Sequence, residues 1–226
     1  MKPTHTAVRQ GIRDTFPLFV PAIPFSFVFG LVVANSGIAP LLGWSSTPIM
    51  FGGAAQVTLL TLLGQGASVA AATTAALVVT ARHLLYSVTL APRFQNQPRW
   101  FRWVGPYLLI DQVFALTLIN RDQDPKVFRA YYLASGFTFW LLWMMATGVG
   151  LFVGPALPVE WGLKFSAPVM FIGILAVSVS SWEKVLVAGI SAGLTVLFAG
   201  LPNKMGLLVA SLMAICVALI LELRKR

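Results

Sequence analysis

A chain of 226 residues that is 58% hydrophobic and 10% charged, with a mean hydropathy of +0.82, stands far from the roughly 25% charged residues of soluble domains. Apolar stretches recur along its whole length with only short polar joints, which excludes a separate soluble domain and predicts one integral membrane domain over residues 1–226. The net charge of +9 sits mostly in joints and at both ends, where it meets anionic headgroups and sets orientation; nucleic acid is not implied.

The start, MKPTHTAVRQGIRD, has the charge of a signal-peptide leader. The apolar run behind it is too long for one, so it reads as an uncleaved cytoplasmic tail. Eight apolar segments follow, at about 16–35, 46–63, 67–90, 103–119, 130–153, 165–181, 185–200 and 205–222. The predicted fold is an all-α polytopic membrane protein with seven or eight transmembrane segments embedded in a lipid bilayer. Pro17, Pro21 and Pro24 predict a kink in the first segment, since each removes a backbone donor. The second, TPIMFGGAAQVTLLTLL, is predicted to break near Gly52 and Gly53, with Gln56 turned inward. A helix N-terminus exposed there would suit a carboxylate; a small-residue face for close helix packing explains the same glycines.

The third segment carries Arg82 and His83 side by side in an otherwise apolar or small run of about 36 Å as one helix. An ionised side chain at mid-membrane costs roughly 2.5–3.5 kcal/mol even on insertion scales, so Arg82 marks a functional site unless a partner fixes packing alone. Asp111 in the fourth segment is that partner. Arg82 lies about eight residues before the 91–102 joint and Asp111 about eight after it. Two antiparallel helices would hold them at similar depth, roughly 12 Å from the interface. Tyr86, three and four residues beyond His83 and Arg82, and Gln112, next to Asp111, are polar company for the pair. His83 is the candidate proton carrier together with Asp111. A structural lock between helices remains a second reading of the same charges.

Eight crossings place Lys2, Arg9, Arg13, Arg121, Lys126, Arg129, Lys184 and the terminal Arg224, Lys225 and Arg226 on the cytoplasmic side, and Arg93, Arg99, Arg102, Lys164 and Lys204 opposite. The 91–102 joint is then a discordant basic patch; a re-entrant second segment would move it inside but send the basic C-terminus outside, so eight spans are preferred. A faint internal repeat lays PFSFVFGLVV at 24–33 over PVMFIGILAV at 168–177. Cys216, alone, can form no intrachain disulfide and is read as packing. No metal site, cofactor or enzyme motif is seen: G-x-S-x-G, H-E-x-x-H and Walker glycine loops are missing, so no ATP-driven motor is expected.

The phrases PFSFVFGLVVANSGIAPL, FGGAAQ at 51–56, ARHLLYS at 81–87 and DQVFAL at 111–116, with a looser match in FSAPVMFIGILAVSV, resemble the AzlC family, the large subunits of bacterial branched-chain amino acid exporters. The resemblance implies export of hydrophobic amino acids across the inner membrane, together with a small AzlD-type membrane subunit. It sets Gly53, Ala54, Ala55 and Gln56, then Arg82, His83 and Tyr86, then Asp111 and Phe114 on the family's recurring motifs. This chain departs from the pattern with Thr80 where Asn is usual and Gln112 where a second acid is usual. The expected substrate-binding set is Gly52, Gly53, Gln56, Arg82, Tyr86, Asp111 and Gln112. A non-transporting scaffold subunit and a channel-like pore are the rival readings.

Overall fold

Proline and glycine decide where this chain bends, and most of its helices are short for that reason. The computed structural model describes residues 4–120, 123–156, 181–200 and 205–223; among them every regular element is helical. Contacts divide the chain into two units, residues 1–174 and 175–226. The first unit opens with α1 (Thr4–Phe19) and α2 (Ala22–Asn35), bent by 63° at the break before Ala22. Pro21 caps α2, and Pro24 sits in its first turn, where a missing N–H does little harm. The kink expected from the three prolines is there. The expected tail, however, is helix: Ala7, Gly11 and Thr15 of α1 are buried.

Five helices follow, α3 (Pro40–Ile49), α4 (Gly53–Gly64), α5 (Val69–Thr80), α6 (Arg82–Gln95) and α7 (Arg99–Val104). A 3-10 turn, Gly105–Leu108, leads into α8 (Asp111–Ile119), and the 29-residue α9 (Pro125–Val153) follows. At about 44 Å, α9 exceeds a hydrocarbon core of about 30 Å. Among the described residues it alone is long and apolar enough to span by itself; the pairs α1–α2 and α5–α6, the latter bent by 42°, reach that length together.

The bent pair α1–α2 runs parallel to α9 along its length. Tyr131 donates to Asp14 (2.9 Å), Thr15 to the Ser135 carbonyl (3.3 Å), and Phe19 meets Phe139 edge-on at 5.2 Å. Further along, Phe25 packs on Trp143, and Gly30 faces Gly150 backbone to backbone. Helices can cross this closely in a bilayer only where side chains are absent.

Contacts then show two hairpins entering from opposite ends. In α3, Gly43 lies against Val33 and Trp44 donates to Thr147 (3.2 Å), while past its end Phe51 has come back to the level of Phe139. From there α4 starts beside Phe25 and Trp143 and returns until Gly64 touches Ser36. Residues 40–64 thus enter and leave at one end, and left-handed Gly37 and Gly66 make the turns there. The segment 99–119 does the reverse. Phe101 and Gly105 pack on Tyr132, Leu108 on Gly136, and Ile110 reaches the level of Phe139 and Trp143. Then α8 leads back toward the start of α9.

This corrects the expected topology. The fourth apolar segment does not cross, because both its ends lie at the start of α9: Arg93 donates to the Gln123 carbonyl (3.1 Å), Gln97 to the Pro125 carbonyl (3.0 Å), and Arg129 to Gln97 (3.0 Å). Gly105–Pro106 turns the chain, and nine residues of α8, about 14 Å, are half a membrane. Arg93, Arg99 and Arg102 therefore share an end with Lys126 and Arg129, and the basic patch stops being discordant. The opposite end of this unit carries no Lys or Arg among the described residues. With Cys216 replaced by Ser, single cysteines at Asn96 and Asp124 should label from the same membrane face, and one at Gln65 from the other. Labelling of 96 and 124 from opposite faces would restore the eight-crossing topology.

The pattern is an inverted repeat. Residues 4–64 give a bent pair then a hairpin, and residues 69–119 give the same order upside down. Pro40 and Pro98, Pro48 and Pro106, and Gly53 and Asp111 are each 58 residues apart. The repeat seen in sequence paired 24–33 with 168–177; its second copy, like all but the last residue of the sixth segment at 165–181, lies outside the described residues. The second unit, taken by itself, holds α10 (Trp182–Leu197) and α11 (Met205–Leu223), which pack together with Ala210 and Ala214 buried.

Candidate functional site

Three helix breaks meet in the first unit. At Gly52 the backbone turns extended (φ −170°, ψ 83°) and α4 begins at Gly53 with no side-chain cap. The interruption expected at Gly52–Gly53 is therefore present. At Ala81 the expected continuous third segment breaks. The Thr80 hydroxyl bonds back to the Leu77 and Ala76 carbonyls, and Ala81 N–H to Val78 and Leu84 N–H to Ala81 follow the tighter i to i+3 pattern. At Leu109–Ile110 the chain is extended, and α8 begins with Asp111.

The break at Ala81 aims Arg82 at Asp111. Nη2 lies 2.9 Å from Oδ2, with the arginine side chain 31% and the aspartate 10% exposed. The other carboxylate oxygen accepts from Tyr86 Oη at 2.6 Å, and the Tyr86 ring stacks on Phe114 at 4.3 Å. The pair expected from matched depth is thus formed. Asp111 starts a half-helix, however, so the two antiparallel spans expected to bring the charges together are not what joins them.

The pocket beside this pair is lined by the first residues of all three helices, Gly53 and Ala54 of α4, Arg82 and His83 of α6, Asp111 and Gln112 of α8. Gly52 and Ile110 close the chain ends, and Phe25, Phe51, Phe139 and Trp143 form an aromatic wall. The free space here is small, about 30 Å³, room for a water molecule or two, and it is partly open to the outside. Opening must precede entry of anything larger.

Of the expected site residues, Gly52, Gly53, Arg82, His83, Asp111 and Gln112 line this pocket. Tyr86 stands one layer behind, holding Asp111, with its ring 5.6 Å from that of His83. Gln56 is wholly buried as expected but is not in the lining. Its amide lies 3.1 Å from both the Ser46 and Thr47 hydroxyls and, turned to satisfy both its ends, 3.2 Å from Thr47 N–H and 3.3 Å from the Met50 carbonyl. It fastens the end of α3 to α4. Gln56→Leu should therefore lower stability by roughly 1–3 kcal/mol through groups left unsatisfied, read as an earlier unfolding midpoint; an unchanged midpoint would show those groups find other partners. The aromatic wall escaped the sequence reading, because a phenylalanine or tryptophan in an apolar run carries no signal that separates pocket from packing.

Bent spans and opposed half-helices around a partly buried ion pair define a polytopic α-helical membrane protein with a central site. The chain belongs to the AzlC family, whose sequence profile, described as AzlC protein, matches residues 17–157. It is similar to the Inner membrane protein YgaZ of Escherichia coli K12, 26% identical over 84% of this chain and 81% of that protein. It is also similar to an uncharacterized membrane protein of Archaeoglobus fulgidus, 26% identical over 74% of each, and to one of Helicobacter pylori J99, 25% identical over 72% of this chain and 73% of the relative. No solved structure matches. Family and relatives point to a membrane transporter component.

Proposed function

We propose that this chain is a carrier, not an enzyme, that exports branched-chain or similar small hydrophobic amino acids across the bacterial inner membrane as a proton-driven secondary transporter, with a small AzlD-type membrane subunit as partner and its basic end in the cytoplasm. The observation that carries the reading is the Arg82–Asp111 pair at the meeting point of three broken helices, beside an aromatic wall. A zwitterion needs opposite charges for its two ends, and an apolar side chain needs a dry wall. Arg82 would take the carboxylate, Asp111 the ammonium, and Phe25, Phe51, Phe139 and Trp143 the side chain. Exchanging the internal ion pair for two pairs with substrate leaves no charge stranded in the bilayer. Asp111 and His83 are the groups for proton coupling. Inverted repeats with broken helices at the midplane are a frequent design of secondary transporters, which supports the class.

The test is uptake of labelled leucine, valine and methionine into inverted membrane vesicles, with and without a pH gradient. Saturable uptake that rises with an acidic interior is expected. Flux that stays proportional to concentration would favour a pore, and absence of flux with the partner subunit present would favour a scaffold.

A further inference from the structure

Side-chain charges in the pocket cancel, Arg82 against Asp111, yet the pocket as a whole does not. α4, α6 and α8, of 12, 14 and 9 residues, all begin there, and none has a side-chain cap. Each N-terminus carries about half a positive charge on N–H groups with no partner inside the helix. The inverted repeat sharpens the asymmetry. Gly53 and Asp111 hold equivalent positions at the two hairpin tips, but only α8 brings an acid in its first turn. That carboxylate is engaged by Arg82 and Tyr86. A separate observation points the same way. Gln112 is only 4% exposed and lines the pocket, and its amide makes no hydrogen bond among the described residues. That amide is not sealed off, so a ligand or water in the pocket can reach it.

We infer that the pocket is first of all an anion subsite, in which the start of α4 and the Gln112 amide hold the substrate's carboxylate alongside Arg82, so that the carboxylate is obligatory for binding and the ammonium is secondary. This rests on the exporter reading and makes it asymmetric. Gly53 and Ala54 N–H groups would receive the carboxylate at the place which, on α8, the chain fills with its own Asp111. The glycine is fixed there by space, since a Cβ at 53 would come within 2.8 Å of Phe25 and Trp143.

Binding to the full-length purified protein separates the possibilities, with L-leucine, 4-methylpentanoate (no ammonium) and 3-methylbutylamine (no carboxylate) as probes. Leucine and 4-methylpentanoate should bind competitively and the amine should not. Gln112→Leu, with its unfolding midpoint as control, should weaken both binders about tenfold, one hydrogen bond to a charged group. Rescue by Gln112→Asn in part would assign the effect to the amide. Binding of the amine but not the acid would overturn the inference and leave the exporter reading standing. Binding of 4-methylpentanoate without leucine would keep the anion subsite and overturn the amino acid substrate. Leucine affinity unmoved in a folded Gln112→Leu variant would remove Gln112 from the site, and failure of all three probes to bind would overturn both readings.

Discussion

Arg82→Lys should abolish most export although the positive charge is kept, and Arg82→Ala should abolish it altogether. The guanidinium meets one Asp111 oxygen at 2.9 Å while Tyr86 holds the other, and on the exporter reading its planar fork would take the substrate carboxylate through two parallel bonds. An ammonium on a flexible stem makes one contact at a time, so a loss of tenfold or more in transport rate is expected for lysine. Arg82→Ala strands Asp111, nine-tenths buried, and removing one partner of such a pair costs roughly 3–5 kcal/mol where both are fully dry. Arg82 is about one-third exposed, so the destabilisation should fall at or below the lower end. Asp111→Asn in the same background should restore stability without restoring transport. That combination separates a role in substrate handling from a lock between helices, since a pure lock would recover both.

Gly30→Ala should prevent assembly of the first unit. A Cβ at 30 would sit 1.8 Å from the Gly150 carbonyl oxygen, and one at 150 would sit 2.3 Å from the Ser26 carbonyl oxygen. Both neighbours are backbone, so neither can rotate away, and α2 and α9 would have to part. Overpacking of cores typically costs about 1–3 kcal/mol and more where backbones must move; about 3 kcal/mol or more is expected for either substitution. Gly148→Ala is the control two residues from Gly150 on α9, where the nearest atom is Trp44 Nε1 at 3.7 Å. Size-exclusion profiles and unfolding midpoints of detergent-solubilised protein read the difference. A Gly30→Ala protein as stable as Gly148→Ala would show that the helices cross less closely.

What the sequence could reveal follows from what each residue must satisfy locally. Arg82 and Asp111 were legible as partners because charge in an apolar run demands compensation wherever the helices lie. The break at Gly52–Gly53 was legible because glycine weakens a helix by itself. The break at Ala81 was not, since Thr80 and Ala81 are ordinary helix residues and the turn there is set by a threonine hydroxyl and the pull of Asp111. The re-entrant hairpin at 99–119 was hidden for a related reason. Its apolar length equals that of a short span, and only the contacts of Gln97 and Arg93 with the start of α9 show that it returns. The inverted repeat was beyond reach from residue identity alone, because half-helices of opposite direction share little more than their prolines. Gln56 shows the converse: its burial was read correctly, but its partners on α3 were not visible in the spacing.

Substrate bound in the pocket at the three helix starts would lie against Ala54, in its lining, which can report it directly. In an Ala54→Cys variant with Cys216 replaced by Ser, the rate of thiol alkylation should fall severalfold in saturating L-leucine and stay unchanged in L-lysine. An alkylation rate that leucine leaves untouched, in a variant that still exports leucine, would place the substrate path elsewhere.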